Sequence, residues 1–342
     1  MVLDGLSPVV VQDCAAALQA GELVAFPTET VYGLGADAGN DAAVAKIFTA
    51  KGRPSNHPLI VHVADQLQGA NGLARFAAEI PGFAQPLIKR FWPGPLTLIL
   101  PRRHNAGVAA AGGQDSLGLR CPAHPVAQAL LQACAARGVF GLAAPSANKF
   151  GRVSPTTAAH VRNEFGDALR ILDGGACVVG IESTIVDCTR ASPVLLRPGA
   201  VTRLQLEAAC GQPVLTVDAA DALWPQAATP RASGTLEAHY APNARLRLMD
   251  ARALQTALDV LGAGIVGQTP VIATYARSSL RMSSQAVLQW RMPGDAEATA
   301  QQLFAVLRGF DDQGVKLIWV ETPPADAAWD GVRDRLQRAA AA

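Results

Sequence analysis

The 342-residue chain is half hydrophobic and 17% charged, with 31 glycines and 23 prolines spread along it, a balance that fits a folded α/β protein and excludes a fibrous or disordered one. Its length exceeds one typical domain and favours two. Twenty-nine basic and 28 acidic side chains leave a net charge of +1, so no global field selects nucleic acid or anionic lipid as a partner.

In chain order, residues 8–20 set Val10, Val11, Cys14, Ala15 and Leu18 on one helical face ahead of Gly21, predicting a helix and its stop. The apolar run Leu23–Phe26 predicts a covered strand, which Pro27 ends because it cannot donate to a sheet. Thr28, Glu29 and Thr30 come next, then Tyr32 and glycines 33 and 35, which read as backbone that turns tightly or approaches a ligand closely. A helix over 41–50 buries Val44, Ile47 and Phe48, and the strand "LIVHV" (59–63) follows "KGRPSNHP". Further strands are predicted at 96–100, 117–120, 139–144, 183–188 and 193–197, with helices near 81–91, 125–137 and 156–165. Thr202 and Gln205 make a capping box for a helix that closes on Gly211. Residues 212–243 lose any sustained period and read as a long linker, a length that is often functional. Beyond it, strands at "ARLRLMD", "PVIATYA", "VLQWRM" and "KLIWVE" alternate with helices near 251–261, 295–308 and from 326. The fold class is therefore α/β: a catalytic domain over 1–211 with a mixed sheet and flanking helices, a linker over 212–243, and a smaller Rossmann-like α/β domain over 244–342.

The literal G-x-G-x-x-G of Gly262, Gly264 and Gly267 follows a predicted helix and precedes a strand, the reverse of a dinucleotide fingerprint, and reads as coincidence. Six cysteines lie far apart without zinc-type spacing and read as buried thiols, with no metal site from protein side chains. The acidic beginning lacks a basic region followed by an apolar core, and no apolar run is long enough to span a bilayer, so a cytoplasmic, membrane-free setting is expected. Polar groups gather at strand ends: Lys51, Arg53 and His57 in one loop, Ser146 and Asn148 in "APSAN", Glu182 and Ser183 in "GIEST", Arg197 in "LLRPGA". The first three can neutralise phosphate, although cations at a helix end also answer its dipole. His62 is equally compatible with a core histidine, and Ser154 with a helix N-cap.

Taken in order, "PTETVYGLG", "AKGRP", "HPLIVHV", "WPGPLTLIL", "LGLRCPAHP", "APSAN", "ESTIVD" and "LLRPGA" resemble the YrdC family of threonylcarbamoyl-AMP synthases over about residues 8–210. "HYAP" at 239–242, followed by a small α/β domain, is similar to the long form of that family. The resemblance implies a YrdC-like twisted sheet and a nucleotidyltransferase that joins L-threonine, bicarbonate and ATP into threonylcarbamoyl-AMP and pyrophosphate. A downstream threonylcarbamoyl transferase acting on tRNA would then consume the product. It assigns threonine to Thr30, His62, Arg120, Ser183 and the backbone of Ala144, with Arg120 on the carboxylate. It assigns ATP to Lys51, Arg53, His57, Ser116, Ser146, Asn148, Ser154 and Arg197, with Tyr240 reaching the nucleotide from a linker that closes over the site. Lys51, Arg53 and Mg2+ would stabilise charge developing on phosphate.

Two residues depart from the family pattern: His57 stands where an asparagine is usual and Ser116 where a threonine is common, each keeping a hydrogen-bonding group. Two other functions belong to related domains. A carbamoyl-adenylate-forming enzyme of the hydrogenase-maturation type would carry zinc-finger cysteine pairs, which this sequence lacks. A double-stranded RNA-binding module would call for a basic surplus, and the net charge of +1 leaves at most weak RNA binding.

Overall fold

The apolar runs before residue 200 pair into one ten-stranded sheet. In chain order the strands are β1 (Val2–Asp4), β2 (Val24–Phe26), β3 (Gly33–Asp37), β4 (Ile60–His62), β5 (Leu96–Pro101), β6 (Ser116–Arg120), β7 (Leu142–Ala143), β8 (Arg170–Asp173), β9 (Thr184–Asp187) and β10 (Val194–Arg197). Their spatial order is β1-β8-β2-β3-β7-β4-β6-β5-β9-β10, with parallel pairs such as β4 with β6 beside antiparallel ones such as β5 with β6. The accompanying helices are α1 (Pro8–Gln19), α2 (Asp41–Lys51), α3 (Gly72–Phe76), α4 (Ala84–Phe91), α5 (Val108–Ala111), α6 (Pro125–Ala135), α7 (Ala158–Phe165), α8 (Arg203–Cys210) and α9 (Val217–Leu223). This computed structural model describes residues 1–65, 72–226, 229–262, 271–281 and 286–342. One compact unit comprises Met1–Phe150 with Ser154–Thr235, and a second comprises Gly151–Val153 with Leu236–Ala342.

Side chains alternate across the first sheet. Val61, Leu98, Leu119 and Val186 point to the face that packs with Val44 and Ile47 of α2, Leu87 of α4 and Leu206 of α8. Their neighbours in sequence point to the opposite face, which carries His62 and Arg120. Toward the β1 end, α1 and α6 pack together with Val24, Phe26 and Leu142 in a separate core cluster.

Several elements differ from the sequence expectation. Gly33 and Gly35 do not form a turn: they lie in β3, antiparallel to β2. A Cβ on Gly35 would come within 2.8 Å of the Phe26 ring, and one on Gly33 within 3.2 Å of the Ala144 Cβ, so Gly35 makes room for that ring and Gly33 for Ala144. The strand expected over 139–144 contracts to Leu142–Ala143. The stretch expected to be irregular holds α9, capped by Thr216, whose side chain accepts from the Ala219 N–H. Ser154 does not cap the next helix, since Thr157 does so by accepting from the His160 N–H. The Thr202–Gln205 capping box forms as expected, and Gly211 closes α8 at φ 71°. Five of the six free cysteines are buried, and Cys210 is half-buried.

In the second unit, β11 (Arg245–Met249), β12 (Ile272–Ala276), β13 (Val287–Arg291) and β14 (Leu317–Glu321) form an all-parallel sheet in the order β11-β14-β12-β13. Its helices are α10 (Ala251–Gly262), α11 (Ala296–Asp312) and α12 (Asp330–Ala340), giving the Rossmann-like arrangement expected. Gly262 ends α10, while Gly264 and Gly267 fall outside the described residues. Among the described residues no helix is long and apolar enough to cross a membrane.

Candidate active site

After Pro27 ends β2, the chain winds around the hydroxyl of Thr28. Thr28 Oγ1 accepts from the Thr30 and Val31 N–H groups at 3.2 Å each and donates to the Val31 carbonyl at 2.7 Å. Its one proton is thus committed, so in the 2.8 Å contact between the two threonine hydroxyls Thr30 is the donor. Thr30 Oγ1 also accepts from Arg120 Nη1 at 2.8 Å. What remains on that hydroxyl is acceptor capacity, suited to an amine or hydroxyl donor.

Register sets the rest of this face. His62 on β4 lies opposite Arg120 on β6, Ile60 opposite Gly118, and Gly118 opposite Ile99 of β5. Two residues before Ile99, Thr97 therefore falls beside Arg120, and it pairs in turn with Ile185, which pairs with Arg197 of β10. Because paired residues share a face, His62, Arg120, Thr97, Ile185 and Arg197 form one row across five strands. Ser116 stands two steps from Gly118 on the same face, opposite Pro101. Burial, reinforced by the Arg120 charge, pushes the His62 pKa down to about 3. The ring is thus neutral near pH 7, and its Nδ1 has no hydrogen-bond partner among the described residues.

Arg197 donates through Nε and Nη2 to the Ser183 carbonyl at 3.1 and 2.9 Å. The Ser183 hydroxyl lies 2.7 Å from that of Thr97. Ser183 thereby joins the residues expected at threonine to one expected at ATP. Ala144 gives its N–H to the Ile60 carbonyl at 2.9 Å, so a backbone contact from Ala144 to a ligand has to use its carbonyl.

The cationic group is built by α2. Asn40 caps this helix, Lys51 is its last residue, and Gly52 at φ 65° ends it and turns the chain to present Arg53. Lys51 Nζ donates to the carbonyls of Ser146, at 2.6 Å, and of Asn148. Burial, then the neighbouring Arg53 charge, pulls the Lys51 pKa well below the usual lysine value. Arg53 donates to the Pro58 carbonyl at 2.9 Å, and its guanidinium stands over the Phe150 ring, which His57 meets edge-on. Burial and the charges of Arg53 and Arg231 lower the His57 pKa.

Glu29 and Glu182 were named from the sequence without a role, and Thr97 was not singled out. Glu29 accepts from Arg120 at 2.6 Å with both side chains buried, Glu182 accepts from the Ser154 hydroxyl, and Thr97 holds Ser183. The segment Arg231–Ser233 shares a small cleft with Ile60, Thr97, Gly118 and Ile185. There the Ser233 carbonyl accepts from Arg197 at 2.7 Å, and its hydroxyl is 3.5 Å from Arg53. Tyr240 belongs to the second unit. It has φ 61° and is stacked on Phe304, with the Arg335 guanidinium over its ring.

This constellation can be set against known proteins. A family model described as "Telomere recombination" (Sua5/YciO/YrdC) matches residues 16–199, and one described as "Threonylcarbamoyl-AMP synthase, C-terminal domain" matches residues 201–341. The chain is 39% identical to the threonylcarbamoyl-AMP synthase of Bacillus subtilis over 336 residues, covering 96% of this chain and 92% of the relative. It is 38% identical to that of Pyrococcus abyssi over 333 residues, covering 95% and 92%. A crystal structure of P. abyssi Sua5 complexed with L-threonine matches with a TM-score of 0.86 at 34% identity, over 99% of this chain and 97% of that one. The chain belongs to the Sua5/YrdC family of threonylcarbamoyl-AMP synthases.

Proposed function

We propose that this chain makes threonylcarbamoyl-AMP with L-threonine held by Thr30, His62, Arg120, Ser183 and the Ala144 carbonyl. ATP is held by Lys51, Arg53, His57, Ser116, Ser146, Asn148, Ser154 and Arg197. The observation that carries the assignment is the buried pairing of Arg120 with Thr30, which sets a guanidinium suited to a carboxylate beside a hydroxyl that can still accept from an amine. The P. abyssi relative, crystallised with L-threonine, supports it.

In this scheme the threonine amine and bicarbonate give a carbamate and water. A carbamate oxygen then forms a bond to the α-phosphorus of ATP, the bond from that phosphorus to the bridging oxygen breaks, and pyrophosphate leaves. The protein's part is to align the reactants and to stabilise phosphate charge through Lys51 and Arg53. Glu182, beside Ser154, is a carboxylate at the ATP residues, and Glu164 also acts on the Lys51 charge. Among the described residues no group of three or more His, Cys, Asp or Glu is placed to hold a metal. A Mg2+ brought in with ATP would neutralise charge on the phosphates. Ser233, bonded to Arg197, supports a linker that covers the nucleotide and excludes water from the labile anhydride. A role for Tyr240 at the nucleotide, and a tRNA-modifying transferase as consumer of the product, belong to the same proposal.

The test is Arg120→Lys, which keeps the charge and loses the planar fork. L-threonine affinity measured calorimetrically should fall at least tenfold, while ATP affinity stays within about twofold. Equal loss of both, or no loss, would remove Arg120 from the threonine site.

A further inference from the structure

We infer that Glu29 is the positioning residue for the substrate carboxylate, orienting Arg120 so that one N–H on each terminal nitrogen is kept for threonine. This rests on the assignment of Arg120 made above. A guanidinium has five N–H donors. In Arg120 three are engaged: Nε with the Gly94 carbonyl at 3.2 Å, Nη1 with Thr30 Oγ1 at 2.8 Å and Nη2 with Glu29 Oε1 at 2.6 Å. The two left over sit on different nitrogens, so each terminal nitrogen keeps one donor for a carboxylate.

Glu29 is itself fixed. Its second carboxylate oxygen accepts from the Ala123 N–H at 3.0 Å, and its backbone carbonyl accepts from the Val179 N–H at 2.8 Å. The carboxylate that holds Arg120 is thus tied to the segment ahead of α6, and its backbone to the loop between β8 and β9.

A purely electrostatic account of this pair points the wrong way for catalysis. A carboxylate against Arg120 weakens the guanidinium's pull on an anionic substrate, and a buried ion pair is not by itself a source of stability. What Glu29 supplies is direction. With the charge at 29 removed, Nη2 loses its anchor, the Arg120 fork is held only by Gly94 and Thr30 and is free to tilt, and a substrate carboxylate must spend binding energy in ordering it again. Geometry and charge therefore predict opposite signs for the same substitution.

The experiment is Glu29→Gln in the full chain, with L-threonine, L-threoninamide and ATP affinities measured by calorimetry. Positioning predicts that L-threonine binding weakens about tenfold while ATP changes less than about twofold, since hydrogen bonds to charged groups are the strong ones. L-threoninamide, which lacks the carboxylate, should bind both forms alike. In an Arg120→Lys background the effect of Glu29→Gln on threonine should largely vanish. Unchanged or tighter threonine binding, an equal loss for the amide, or full additivity with Arg120→Lys overturns the inference while leaving the threonine site in place. No threonine binding by the unsubstituted chain overturns the site assignment itself and the inference with it. If Glu29→Gln fails to fold, Glu29→Asp, which keeps the charge but withdraws it by one methylene, gives the same threonine-specific readout.

Discussion

Lys51 illustrates how one residue's environment becomes a measurable property. Its ammonium group is buried against the Ser146 and Asn148 carbonyls, and burial together with Arg53 lowers its pKa well below that of an exposed lysine. A base with a lowered folded pKa gives up its proton at a lower pH than it would in the unfolded chain. ATP phosphates favour the protonated form, so binding takes up a proton wherever Lys51 is already neutral. Apparent ATP affinity should therefore fall as pH rises through the window between the lowered value and the ordinary lysine value of 10.5. Lys51→Arg stays charged throughout and should bind ATP with a nearly flat profile. Titrations of ATP from about pH 7 to about pH 10 check this, and parallel profiles for the two proteins would show that Lys51 does not face the phosphates.

At the scale of elements, α9 decides where the first unit ends. Its Ala220 packs with Ile99, Ile185, Val194 and Leu196, joined by Leu215, Val217 and Trp224. Arg190 pairs with Asp221 at 3.2 Å and donates to Thr229 at 2.6 Å, while Gln114 and Arg231 exchange hydrogen bonds at 2.7 and 3.2 Å. Among the described residues, α9, Thr229, Arg231 and Ser233 are thus bound to the first unit. A chain ending after Thr235 should unfold cooperatively and be more stable than one ending after Gly211 by at least about 3 kcal/mol, since the shorter chain leaves several apolar side chains exposed. Denaturant titration of the two truncations measures the difference, and equal midpoints would show that α9 adds nothing.

The same elements show what a sequence discloses. Long runs such as "LTLIL" announce their strands, and the motif residues at strand ends point to the row that contains His62, Arg120 and Arg197. β3 was missed because glycine usually argues against a strand, and only the Phe26 ring explains Gly35. Strands β1 and β8 escaped notice because they are short and pair across some 170 residues of sequence. α9 has too small an apolar face to give a periodic signal, although its Thr216 cap was present in the sequence. Glu29 was visible as a carboxylate beside two hydroxyls, yet its partner lies 91 residues away, and no local pattern announces such a pairing.

For the whole molecule, the two units bring a mixed sheet with a polar row and a smaller parallel sheet into one chain, and the near-neutral charge leaves recognition to local groups. The proposed function gives Lys51, Arg53, Arg197, Arg120 and Thr30 one shared task, the joining of an amino acid, bicarbonate and ATP. The decisive measurement is product analysis with purified full-length protein, ATP, Mg2+, bicarbonate and L-threonine. Attack at the α-phosphorus predicts pyrophosphate and a short-lived threonylcarbamoyl-adenylate, with both lost when either threonine or bicarbonate is omitted. Release of ADP, or pyrophosphate formation indifferent to threonine, would contradict the account.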